Sequence, residues 1–151
     1  MGQTKENAGM PILNYTTTVP AARTVGEVQA LLAGAGASAI MLQYEGGLPV
    51  ALAFRLTTAT GEREFALPCR WRQVQAVLRK QRVEARFLKD AHALNVSWRI
   101  LKDWVEAQLA IVQAGLVQAD EVFLPYLLTG QGVTVYEQFT SSRLLGAGEE
   151  A

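Results

Sequence analysis

Seven cationic side chains, Arg70, Arg72, Arg79, Lys80, Arg82, Arg86 and Lys89, fall within a twenty-residue stretch whose one carboxylate is Glu84. Guanidinium and ammonium groups at this density suit charge-assisted hydrogen bonding to phosphate or another anion. Carried on to Lys102, the segment holds nine of the chain's 14 basic residues against Glu84 and Asp90. It is formally +7 and the rest of the chain is −7, so a net charge of zero conceals a local field. Local structure accounts for part of this charge. Arg79, Lys80 and Arg82 sit where a helix ends, and cations there complement its dipole. Arg99 with Asp103 and Lys102 with Glu106 have the i,i+4 spacing of helical ion pairs.

Other chemistry finds little support. His92 is the only histidine and Cys69 the only cysteine, too few for a familiar zinc site, so no metal is expected. As a general base His92 would need a nucleophile such as Ser97 or Cys69 brought to it by the fold. Glu62 and Glu64 share one side of a strand, as exposed carboxylates commonly do. Gly34, Gly36, Gly46 and Gly47 read as cap and turn residues, because none precedes a helix as a phosphate-binding loop would. No cofactor and no enzymatic activity are expected.

The elements that position these residues follow from pattern. Residues 12–19 are rich in β-branched and aromatic side chains and stop at Pro20, which predicts a strand. Thr24 and Glu27 have capping-box spacing, and Val25, Val28, Leu31 and Leu32 trace one helical face. Strands are expected at 39–44, 49–56 and 63–67, with a hairpin at Glu45-Gly46-Gly47 and a second turn at Thr60-Gly61. Helices follow at 71–83 and about 88–114, then a short one from an N-cap at Asp120 through Tyr126, limited by Pro125. Residues 133–139 fit either a last helical turn or a short strand. The fold class is α+β: a strand, a helix and a three-stranded antiparallel meander, packed by a long C-terminal helix and shorter ones. One domain is expected at 11–140, with a flexible lead-in at 1–10 and a tail at 141–151.

The long helix carries two apolar stripes. Leu94, Trp98, Leu101, Val105, Leu109 and Val112 form one; Val96, Ile100, Trp104, Ala107 and Ile111 form the other, roughly 140° away. A helix at the edge of a monomer needs one stripe. The second is covered either by the chain's own short helices or by another subunit, making Trp104, Ile100 and Ile111 candidate interface residues of a homo-oligomer.

Composition sets the class. At 151 residues, half of them apolar and 19% charged, the chain suits one globular domain. No apolar run is long enough for a membrane span, and the N-terminus lacks the apolar region of a secretory signal. A single cysteine fits a reducing interior, so the expected location is the cytoplasm.

Two resemblances add context. From Thr24 to Arg82 the order helix, three strands, helix resembles a double-stranded-RNA-binding domain. That family's Lys-rich turn is represented here only by Arg70 and Arg72. Residues 12–19 (ILNYTTTV), 67–71 (LPCRW), 98–115 (WRILKDWVEAQLAIVQAG) and 120–127 (DEVFLPYL) together resemble a family of small uncharacterised proteins from bacteria, phages and prophages. That resemblance implies a bacterial or phage-infected cytoplasm; it brings no known activity or catalytic residues and leaves function open. The expected function is a non-enzymatic, phage- or mobile-element-associated protein binding nucleic acid through the basic segment. The alternatives are an oligomeric adaptor or inhibitor of a host defence system, and sequestration of an anionic nucleotide.

Overall fold

A computed structural model describes residues 10–141. The expected lead-in and tail lie outside the described residues, save the exposed Met10 and Ser141, the last residue of a helix. Three strands, β1 (Ala39–Glu45), β2 (Leu48–Thr58) and β3 (Gly61–Pro68), form an antiparallel sheet in the order β1-β2-β3. The helices are α1 (Ala21–Gly34), α2 (Trp71–Lys80), α3 (Asp90–Gln113), α4 (Ala119–Val122) and α5 (Val135–Ser141). The protein is therefore α+β, and none of these helices is long and apolar enough to cross a membrane.

The β1-β2 hairpin turns on Gly46 and Gly47, with φ of 57° and 79°. Two consecutive residues at positive φ match the twist of the strands they join, and glycine adopts them without steric cost. Leu52, Phe54 and Leu56 on β2 and Phe65 and Leu67 on β3 point to one face and are buried. Phe54 stacks on Phe65, and Phe123 closes edge-on against Phe54, with centroids 5.4 and 5.3 Å apart. The outer edge of β3 is covered at its middle: Phe65 bridges to Leu127, and the Leu128 N–H donates to the Glu64 carbonyl.

The predicted first strand does not form. Residues 13–16 make a turn, with Asn14 at φ 66°, and the segment runs as a strap across α3. In place of a ladder, the Tyr15 and Thr17 N–H groups close turns onto the Ile12 and Asn14 carbonyls, and side chains of other segments take up two further backbone groups and the Asn14 amide. The Ile12 N–H donates to Gln81 Oε1, the Tyr15 carbonyl meets His92 Nε2, and Asn14 Nδ2 donates to Asp103 Oδ2. β-propensity supplies no partner strand, and here the side chains of α3 and the end of α2 satisfy the backbone.

The expected capping box at Thr24 does not form either. The helix starts a turn earlier, with Pro20 as N-cap, and the Ala21 N–H donates to Asn95 Oδ1. Thr24 is fully buried with its hydroxyl unpartnered, and Glu27 pairs with Arg99. The same Thr-x-x-Glu spacing does form a box at Thr134 and Glu137, where each side chain accepts the other's backbone N–H at 3.1 and 2.9 Å. The Thr134 backbone N–H, and after it the Thr134 hydroxyl, hold the Glu137 carboxyl below its usual value. Residues 135–141 are thereby helical, and α4 is preceded by Gln118 as N-cap, not Asp120. Asp120 instead accepts a hydrogen bond from the Thr60 hydroxyl.

α3 organises the molecule. Trp98 is buried on its sheet-facing stripe and donates from Nε1 to the Pro49 carbonyl at 2.9 Å. The second stripe meets the chain's own C-terminal segment, since the Trp104 ring packs edge-on against Phe123 and Tyr126. The polar residues between the two stripes receive the N-terminal part of the chain: Asn95, Arg99 and Asp103 hold Ala21, Glu27 and Asn14.

Candidate nucleic-acid interface

α2 buries Trp71, Gln75 and Leu78, which recur at helical spacing, and turns Arg72, Gln73, Ala76, Arg79 and Lys80 to solvent. At about 100° per residue Arg72 and Arg79 share one flank of that outer face, and Gln73 and Lys80 the next. The helix contains no carboxylate. Arg70 is its N-cap residue, and Arg72 lays its guanidinium over the Trp71 ring, 4.5 Å from the centroid. Placing two cations at a helix N-terminus opposes the dipole, whereas Arg79 and Lys80 at the other end complement it.

The helix ends in a manner the sequence did not signal. The Arg82 N–H bonds to the Arg79 carbonyl and the Val83 N–H to that of Leu78, with Arg82 at φ 56°. This is a Schellman motif, in which the left-handed residue is usually glycine. α1 and α3 close the same way with Gly36 and Gly115 in that position. Only α2 of these three places a cation there, at a backbone cost of roughly 1–2 kcal/mol.

Beyond Arg82 the chain folds back along α2. Gln75, buried on the inner face, donates from Nε2 to the Leu88 carbonyl at 2.8 Å and to Asp90 Oδ1 at 2.7 Å. Lys89, between those two residues, is thereby tied beside the middle of the basic helix. All seven predicted cations are exposed. Arg86 pairs with Glu84 at 2.9 Å and covers Phe87, and Arg70 lies within electrostatic reach of Glu137. Among the described residues Arg72, Arg79, Lys80, Arg82 and Lys89 make no ion pair.

The predicted extension of this charge into α3 is neutralised, with a change of partners. Lys102 pairs with Glu106 as its spacing implied, but Arg99 reaches Glu27 on α1 and not Asp103. A groove of about 390 Å³ runs beside the start of α2, between Arg70, Arg72 and Gln73 on one wall and Gln43 and Glu45 on the other. Glu45 keeps that groove mixed in charge, so the cationic surface is the outer face of α2 and the returning Lys89.

The remaining candidates serve packing. His92 stacks on Phe87, 5.0 Å between centroids, while its ring nitrogen engages Tyr15. Cys69 is buried against Ser97, and burial pushes its thiol from 9.0 up to about 12, which keeps it protonated at neutral pH. The Ser97 hydroxyl donates to the Ala93 carbonyl. No group of three or more potential metal-ligating side chains occurs among the described residues. Ile100 lines a shallow groove with Leu101 and Tyr126, and Ile111 is half-buried.

The helix, three strands, helix order from α1 to α2 matches the order expected from sequence, but α1 and α2 pack on opposite flanks of α3. No protein-family model, no curated protein and no solved structure matches the chain.

Proposed function

We propose that this is a non-enzymatic binding protein that holds the phosphate backbone of a nucleic acid on the outer face of α2. The observation that carries the reading is the set of five exposed cations, Arg72, Arg79, Lys80, Arg82 and Lys89, without ion-pair partners among the described residues, on an acid-free helix and its return. Phosphate contacts of this kind confer affinity without base readout, and they release counterions. Arg82 supports the same reading: it keeps a cation where glycine would relieve backbone strain. A phage or mobile-element setting follows from the sequence resemblance alone.

The test is binding to single- and double-stranded DNA and RNA between about 50 and 200 mM salt, a range over which six to ten phosphate contacts cost roughly 10³–10⁵ in affinity. Arg72→Ser/Arg79→Ser/Lys80→Ser should weaken binding at least about tenfold and flatten the salt slope by roughly 0.9 for each duplex phosphate left unneutralised. Absence of binding at low salt, or binding indifferent to salt, overturns the proposal.

A further inference from the structure

We infer, resting on the backbone-binding reading above, that α2 enters the major groove of duplex DNA and reads base edges there. Gln73 and Val77 are the residues that set sequence preference.

α2 rests chiefly on α3 and buries only Trp71, Gln75 and Leu78. Across its outer face run the exposed Arg79, Arg72, Ala76, Lys80, Gln73 and Val77, in that angular order. An α-helix with its side chains is about 10–12 Å across, and the major groove of B-form DNA is about 12 Å wide, so a face this free can enter it. Ala76 sits near the middle of the arc, where a small side chain lets the helix axis approach the base pairs. The deep, narrow major groove of A-form RNA does not let side chains read its bases, which favours DNA.

Charge is distributed unevenly along this face. Arg79 and Lys80 in the last turn, Arg82 in the turn beyond and Lys89 on the return supply cations to the C-terminal half. The first turn instead faces Glu45 across the groove that Arg70, Arg72 and Gln73 line, and Asp90 lies beside Arg72. Those carboxylates turn phosphate away from that end, so the C-terminal half anchors to the backbone and Gln73 is left for an uncharged partner. Its amide offers a donor and an acceptor together, which match adenine N6 and N7. Val77, one turn further on, is 37% exposed and stands outside the hydrophobic core. An apolar side chain in that position meets the methyl group of thymine. Gln73 and Val77 lie about 6 Å apart along the helix axis, close to the length of two base-pair steps.

Selection of bound sequences from a randomised duplex-DNA library by the full chain at low salt tests the inference. A short motif should be enriched in which an adenine and a thymine fall within about two base pairs of each other. Replacing that thymine by uracil removes only a methyl group, and should weaken binding about fourfold for the parent protein but not for Val77→Ala. Gln73→Ala should lose at least about fivefold discrimination at the adenine. It should keep the parent's salt slope, because no phosphate contact goes with the amide. Both side chains are exposed, so circular dichroism and melting of the two variants should match the parent. Salt-dependent binding with no enriched motif, or equal affinity for duplex RNA of the same sequence, overturns the base reading and leaves the backbone contact standing. A motif unchanged by both substitutions does the same. Absence of binding to any nucleic acid at low salt overturns both.

Discussion

α2 and α3 both belong to the basic segment, yet their cations meet opposite fates. Arg99 and Lys102 on α3 are drawn into pairs with Glu27, Glu106 and Asp103, and their side chains are only 18% and 16% exposed. The cations of α2 and its Schellman turn face water without such partners among the described residues. The difference lies in what each helix packs against. α3 sits in the middle of the fold, where α1 and the strap bring acidic and amide groups to its polar sector. α2 lies on the outside and buries a narrow stripe. A run of charge in sequence therefore becomes a surface field only where no later or earlier element arrives to neutralise it.

The shared foundation can be broken first, and this is the largest effect. Trp98→Ala removes the buried indole and its bond to Pro49, and should cost about 3–5 kcal/mol, read by chemical denaturation. Both helices lose their footing together in that variant, so nucleic-acid affinity should fall with the folded fraction. Arg82→Gly separates charge from strain. It should raise stability by about 1 kcal/mol in the same assay, by relieving the left-handed backbone. It should also weaken nucleic-acid binding at low salt; a variant that gains stability and binds unchanged would detach Arg82 from the interface. The smallest effect belongs to α3. Arg99→Gln should lower stability by about 0.5–1 kcal/mol through loss of the Glu27 pair, and should leave nucleic-acid affinity within about twofold.

How far the sequence carried varies by element, for physical reasons. The meander was legible because each of its signals is local: two glycines for the first turn, Thr60-Gly61 for the second, and alternation along β3. The long helix was legible because 24 residues sustain its periodicity. Residues 12–19 misled because strand propensity describes a surface that needs a partner, and backbone groups of the segment were claimed by Gln81 and His92. Thr24-x-x-Glu27 and Thr134-x-x-Glu137 are the same motif, and only tertiary context separates them. Pro20 starts the first helix early and Arg99 claims Glu27, while the Thr134 backbone holds Glu137. At the candidate interface, exposure and the lack of acids on α2 were visible in its composition. The left-handed Arg82 was not, because the expected marker of that turn is glycine. The return of Lys89 was not visible either, because it depends on one buried amide, Gln75, reaching across to Leu88 and Asp90.

The seam between β3 and Leu127 also matters to a nascent chain. Phe65 and Glu64 leave the ribosome long before the residues that cover them, so during synthesis the sheet stands open on both sides. A chain stalled before Leu127 would carry two unsealed rows of backbone donors and acceptors, with Phe123 and Trp104 not yet packed together. Such an intermediate is the form most exposed to capture by neighbouring chains, chaperones or proteases. Release of the C-terminal segment is thus the event that commits the protein to a single open edge.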